Sequence, residues 1–269
     1  MSHQPIDGMP SLGLGTWQNT DPEECANAVA TALEMGYRHI DTAQAYGNEE
    51  SVGEGLSRAD VPREDVFLAT KVWIDQLAHD DVLASTEESL AKLGVDYVDL
   101  LYIHWPAGDY DAEDTFAAFD DLYDEGLIER LGISNFEPAQ VTAAVETADA
   151  PIFANQIECH PLLPQAELRA HCADHDVAVV AYSPLARGEV FDVPELQAVA
   201  EKHGVSAAQV SLAWLREKGV TAIPKATGED HIADNWASLG LELDDDDVEE
   251  IDTLGRTDRQ LNPDFGPDW

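Results

Sequence analysis

HIDTAQAYGNEESVG, residues 39–53, is the stretch on which the fold turns. His39, Ile40 and Asp41 begin as a short buried strand would. A loop follows, and Asn48 and Glu49 start a helix. That is one strand–loop–helix unit of an alternating α/β chain. The same stretch delivers an acid, Asp41, and a phenol, Tyr46, beside the strand end. A tyrosine with an ordinary pKa near ~10 is a poor proton donor at neutral pH, so a partner from another unit is expected.

The pattern repeats outward from there. Apolar runs occur at VFLATKV (66–72), YVDLLYIHW (97–105), RLGISN (130–135), PIFANQIE (151–158), VAVVAYSPL (177–185), VTAIPKA (220–226) and WASLGLEL (236–243). Helix-like stretches such as PEECANAVATALEMG and SAAQVSLAWLREKG lie between runs, several closed by glycine. With RHIDTA (38–43) this makes eight units, spaced roughly 28 residues apart on average, which predicts one α/β domain over residues 1–269, a (β/α)8 TIM barrel. An open Rossmann sheet is the alternative. GLGTW (13–17) lacks the GxGxxG spacing and does not follow a strand within a βαβ unit. It is expected instead to form a short N-terminal β-hairpin capping the barrel.

Composition narrows the partners. The chain has 269 residues, 54 of them acidic and 14 basic, for a formal net charge of -40. With 44% hydrophobic residues in regular segments it is not a disordered acidic chain. Such a surface repels nucleic acid and anionic membranes. Charge of this size is best tolerated where salt screens it, so a halophilic, cytoplasmic protein is expected. No apolar run approaches membrane-span length, and MSHQPIDGMP lacks the features of a signal peptide. Cys25, Cys159 and Cys172 have no CxxC spacing and read as reduced structural thiols.

In a barrel the chemistry sits where strands end. There the runs offer Asp41 and Tyr46, Lys71, His104, Ser134 with Asn135, Gln156, Tyr182 with Ser183, and Lys225. A lysine buried after FLAT needs a partner, and Asp41 on the neighbouring strand supplies one. Lys71 beside Tyr46 is expected to lower the tyrosine pKa, making the phenol a usable acid toward a carbonyl oxygen that His104 also orients. Each residue alone reads as readily as a strand-end cap or ion pair. Four at equivalent ends of adjacent strands point to catalysis.

The stretches GLGTWQ, DTAQAYGNEESVG, LATKVW, DYVDLLYIHWP, GLIERLGISNF, NQIECHP, AYSPL and IPKA resemble the aldo-keto reductase superfamily almost from end to end. RTDRQLNPDFGPDW is similar to its prokaryotic 2,5-diketo-gluconate reductase-like branch. The resemblance implies an NAD(P)H-dependent reductase of small aldehydes and ketones, with Asp41, Tyr46, Lys71 and His104 as catalytic residues. It further implies that Ser134, Asn135 and Gln156 bind the nicotinamide carboxamide and that Tyr182 stacks on its ring. Ser183 and Leu185 would follow the pyrophosphate, and Trp17, Trp73 and Trp105 would build the substrate pocket. A monomer is the family-like state.

The departure is at the adenosine end, IPKATGEDHIADN. Lys225 is kept, Ala226 replaces a serine, His231 stands where the family has arginine, and Asn235 follows Asp234. Imidazole offers neither the permanent charge nor the paired N–H groups of a guanidinium. Lys225 and Thr227 could compensate, so NADPH is expected with weakened discrimination against NADH. Short loops after the strands, and a short tail, suggest an open pocket. The other reading of the same fold is a catalytically weak, cofactor-binding regulatory subunit. The pair in HCADH (171–175) lacks further metal ligands, Cys159–His160 reads as structural, and DDDD (244–247) reads as a helix start. No metal is expected.

Overall fold

Eight parallel strands curl into one sheet in the computed structural model, which describes residues 8–267. The strands are β1 (Leu14–Gly15), β2 (His39–Asp41), β3 (Phe67–Val72), β4 (Leu100–Ile103), β5 (Leu131–Ser134), β6 (Ile152–Glu158), β7 (Ala178–Tyr182) and β8 (Thr221–Ala222), each paired with the next. Closure comes from Gly13 N–H donating to Ala222 O at 2.8 Å and Gly15 N–H to Pro224 O at 3.1 Å. A closed barrel has no edge to protect. Helices α1 (Pro22–Met35), α2 (Glu49–Arg58), α3 (His79–Leu93), α4 (Ala112–Asp124), α5 (Pro138–Thr147), α6 (Ala166–Asp174), α7 (Pro194–His203), α8 (Ala207–Glu217), α9 (Glu229–Ala237) and α10 (Asp245–Asp252) surround it.

The count of eight strands holds, but two members differ from expectation. Residues 13–17 do not cap the barrel as a hairpin; they contain β1, its first strand. Residue 15 must be glycine, because a Cβ there would lie 2.6 Å from the Ile223 carbonyl oxygen. A two-residue strand built around glycine carries no apolar pattern to read. Conversely, WASLGLEL is not a strand. Trp236 and Ala237 end α9, and Ser238–Gly240 form a 3-10 turn. Its apolar groups serve helix packing instead, Trp236 lying 4.9 Å from the Tyr37 ring. Any part of the expected hairpin within residues 1–7 lies outside the described residues.

Helix ends follow local chemistry. Asp21, Asp111 and Ser206 cap α1, α4 and α8 by accepting N–H groups of their first turns. The DDDD run starts α10: Asp244 and Asp247 form a reciprocal capping box, and Asp247 also takes Lys202 at 2.7 Å and His203 at 2.7 Å. All three cysteines are free and buried.

The period-two geometry of strands divides the core into two parts. Ile40, Leu68, Val72, Leu101, Ile103, Leu131, Ile133, Ile157, Val179 and Ala181 belong to the core shared with the helices. The alternate residues Phe67, Ala69, Leu100, Tyr102, Ala154, Ala178, Val180 and Ile223 form a second cluster, inside the barrel. Extending those inward positions toward the strand ends gives Asp41, Lys71, His104, Ser134, Gln156, Glu158 and Tyr182. The inward face of the barrel therefore runs from a largely apolar floor to a polar mouth supplied by β2 to β7.

Candidate active site

The mouth opens into a cavity of about 670 Å³, a size suited to a small molecule or cofactor. Asp41, Tyr46 and His104 line it, and Lys71 lies directly beneath, fully buried. Lys71 Nζ has three hydrogens and three acceptors: Asp41 Oδ1 at 2.5 Å, Thr42 O at 2.7 Å and Tyr46 Oη at 3.4 Å. Because the ammonium donates to the phenolic oxygen, the phenol's own hydrogen is left to point elsewhere, and the cavity is beside it. Asp41 Oδ2 accepts from Gln156 Nε2 at 2.7 Å, so both oxygens of the carboxylate are held.

The electrostatics correct one expectation. Tyr46 is not made acidic at rest: burial, with the Asp41 charge beside it, pushes its pKa well above the ordinary value. Burial also lowers Lys71, against the opposing pull of Asp41 and of Glu49. His104 falls well below the usual imidazole range, through burial and the neighbouring Lys71 charge. The resting site at neutral pH therefore holds a protonated phenol and a neutral imidazole. Lys71 acts on what Tyr46 becomes after losing its proton, since a charge at that range is worth about 4 kcal/mol to a phenolate at intermediate dielectric.

Loops fix these groups from behind. Gln44 accepts from Trp73 N–H at 3.0 Å and donates to Ser85 O at 3.2 Å, which sets the Trp73 ring 4.9 Å from His104. Asn48 precedes α2 without a side-chain cap bond. It instead takes Thr42 Oγ1 at 3.0 Å and donates to Thr16 O at 2.9 Å, tying the loop after β1 to the loop after β2. Glu49 is buried, accepting from Thr70 Oγ1 at 2.7 Å and Ser89 Oγ at 3.2 Å.

Ser134, Asn135, Gln156, Tyr182, Ser183, Leu185 and Lys225 also line the cavity, as do Trp17, Trp73 and Trp105. The amides interlock. Asn135, in the left-handed region at φ 64°, donates to His104 O at 3.0 Å and accepts from Tyr182 Oη at 2.8 Å, which fixes the Tyr182 ring. Thr227, His231 and Asn235 are not among the lining residues: His231 is exposed on α9 and Asn235 is buried in the body of that helix. Asp234 is occupied by Ser206 at 2.6 Å and Gln209 at 2.6 Å.

Two features escaped sequence reasoning. Arg187 lines the cavity and its guanidinium stands 4.8 Å from the Trp17 ring centre. It sits in a segment of consecutive left-handed residues, Ala186 to Gly188, where no periodicity reveals it. The tail returns over the mouth, with Leu261, Pro263 and Phe265 lining the cavity. Phe265 meets Trp73 at 5.7 Å and Trp105 at 5.5 Å, both edge-on. The mouth is thus partly walled by the tail, not left open by a short one.

The aldo/keto reductase family profile matches residues 11–256. The chain is 40% identical over 257 residues to the glyoxal reductase of Bacillus subtilis, covering 95% of this chain and 93% of that protein. A solved structure provisionally assigned as a 2,5-diketo-D-gluconic acid reductase B superposes with a TM-score of 0.93 at 38% identity, over 97% of this chain and 93% of that one. A Bombyx mori aldo-keto reductase solved in complex with NADP gives 0.89 at 36% identity, over 94% and 92%.

Proposed function

This chain belongs to the aldo/keto reductase family and is an oxidoreductase, and from that premise we propose that it reduces small aldehydes and ketones to alcohols, with NADPH favoured over NADH. The observation that carries the reading is the saturated Lys71 ammonium, whose third N–H is spent on Tyr46 Oη and frees the phenol hydrogen for the cavity. A bound nicotinamide dinucleotide would supply the hydride.

The cavity suits that cofactor. Tyr182, tethered by Asn135, offers a fixed flat wall for a nicotinamide ring. Ser134, Asn135 and Gln156 surround it with amide and hydroxyl groups. In a chain of net charge -40, two of the few cations, Arg187 and Lys225, border the cavity, where they suit the phosphate groups of a dinucleotide. Ser183 and Leu185, also in the lining, would follow the pyrophosphate, and Lys225, Thr227, His231 and Asn235 would meet the adenosine end.

In the reaction Tyr46 gives its proton to the carbonyl oxygen, and the resulting phenolate rests on Lys71. Asp41, held by Gln156, keeps Lys71 charged and in place. Neutral His104 holds the carbonyl oxygen in line with Tyr46, while Trp17, Trp73 and Trp105 exclude water and grip the substrate's carbon skeleton. α-Dicarbonyls such as glyoxal are the first substrates to try, given the Bacillus subtilis relative. We expect a monomeric, cytoplasmic enzyme whose acidic surface works best at high salt.

The test is oxidation of NADPH and of NADH over a carbonyl panel, in molar KCl and in dilute buffer. Turnover with NADPH, faster in KCl, is the expected result. Tight dinucleotide binding with negligible turnover across the panel would replace the enzyme by a cofactor-sensing subunit.

A further inference from the structure

Glu158 is the last residue of β6, two positions beyond Gln156 on the same inward face, and it is fully buried. Gln156 holds Asp41. Glu158 reaches the tail: its Oε1 accepts Gln260 N–H at 2.6 Å and its Oε2 accepts Leu261 N–H at 2.9 Å. His160 Nε2 lies 3.0 Å from Oε1. A carboxylate only accepts, so this contact puts a proton on that nitrogen. Three donors thus offset the cost of burying the charge, which would otherwise be several kcal/mol.

Side chains hold the tail nearby as well: Gln260 Nε2 donates to Glu189 Oε2 at 2.9 Å, and the Arg259 charge lies among Glu158, Glu137 and Tyr182. The Glu158 clamp is what fixes the backbone itself at Gln260 and Leu261. Among the described residues beyond α10 there is no regular secondary structure. The tail backbone meets the barrel again at Asp258 N–H to Leu162 O, 2.8 Å. Four residues past the clamp, Phe265 stands edge-on to both Trp73 and Trp105 while still 41% exposed. With two edge-on ring contacts and a solvent-facing side, the position of the phenyl ring depends on how the backbone before it is held.

We propose that Glu158 is a positioning residue for substrate selection: by clamping the Gln260 and Leu261 amides it seats Phe265 against Trp73 and Trp105 as one wall of the carbonyl site. The substrates that depend on it are carbonyls bearing an aromatic or bulky apolar arm. Two- and three-carbon dicarbonyls are too short to need that wall. This rests on the reductase reading above.

Three measurements test it. In wild-type protein, amide hydrogen exchange by NMR should show Gln260 and Leu261 protected at least about a hundredfold relative to the neighbouring Gly255 and Arg256 amides. In E158Q one accepting oxygen becomes an NH₂ facing a backbone N–H. The KM for an aromatic aldehyde such as benzaldehyde should then rise about tenfold, the scale of lost aromatic contacts. The KM for glyoxal and both kcat values should stay within about twofold. Phe265→Ala should raise the KM for benzaldehyde by a similar factor, and the double variant should be no worse for that substrate than either single one.

Equal shifts for both aldehydes, no shift for either, or additive effects in the double variant would overturn the proposal. So would unprotected Gln260 and Leu261 amides, a result that needs no variant and stands if E158Q fails to fold. A wild-type chain that reduced no carbonyl would defeat the reductase reading while leaving the exchange result to judge the clamp.

Discussion

His39 and Asp41 sit two residues apart on β2, point to the same side, and are both almost wholly buried. Their surroundings differ completely. His39, on the floor, packs edge-on against Phe67 at 5.0 Å, and burial drives its pKa down to about 4. Asp41, at the mouth, has a hydrogen-bond donor on each oxygen, Lys71 and Gln156. Burial by itself therefore does not mark a reactive group. It discharges the residue that meets apolar neighbours, and it concentrates charge where partners converge from other strands.

The sharpest way to break that contrast is Tyr46→Phe. If the mouth is where charge is handled, removing one oxygen should lower kcat about a thousandfold or more, within the usual range for losing a general acid, with dinucleotide affinity unchanged. Substantial residual turnover would assign the proton to another group.

Lys71→Met should cost about a hundredfold in kcat or more, as loss of a preorganised charge does. It should also destabilise the fold, because Asp41 keeps only Gln156 as a donor. Adding Asp41→Asn separates the two effects: the melting temperature should recover while turnover does not. Recovery of both would make the ion pair structural alone.

The mouth was legible in the sequence because β2 to β7 each place a polar side chain at an inward position at or beside the strand end, a pattern a plain core would not show. The barrel was legible from alternation, although β1 was hidden by its glycines and a helix-packing run stood in for a strand. Electrostatic direction was not legible. Proximity to Lys71 suggested an acidic Tyr46, but the balance depends on how completely the phenol is buried and on the Asp41 charge, neither of which spacing reports. Arg187 and Phe265 lay in irregular segments, where position comes from tertiary contacts rather than from periodicity.

The floor has its own prediction. The folded pKa of His39, about 4, lies below the ordinary imidazole value of ~6.5. As pH falls below the unfolded value, the unfolded chain binds a proton that the folded chain refuses, so stability is lost between ~6.5 and ~4, by about 3 kcal/mol in all. It is fully retained above that window. Denaturant midpoints at pH 7 and pH 4 should therefore converge in His39→Leu relative to wild type. Parallel losses in the two proteins would mean that His39 titrates normally and that the floor is not as apolar as its packing indicates.

The smallest effect lies at the rim, where a side chain is neither buried nor partnered as Asp41 is. His231 is exposed in the first turn of α9, beside Glu229 and Asp230. A helix N-terminus favours a phosphate, but those two carboxylates repel one, and imidazole has no fork to grip it. Restoring that fork with His231→Arg should lower the KM for NADPH about fivefold, a single charge-assisted contact at an exposed site, and leave the KM for NADH unchanged. The gain should shrink in molar KCl, where charges at the surface are screened but those around Lys71 are not. An unchanged NADPH-to-NADH ratio would place the adenosine end away from α9. A gain that ignored salt would mean that residue 231 is withdrawn from solvent once the dinucleotide is bound, joining the rim to the buried mouth.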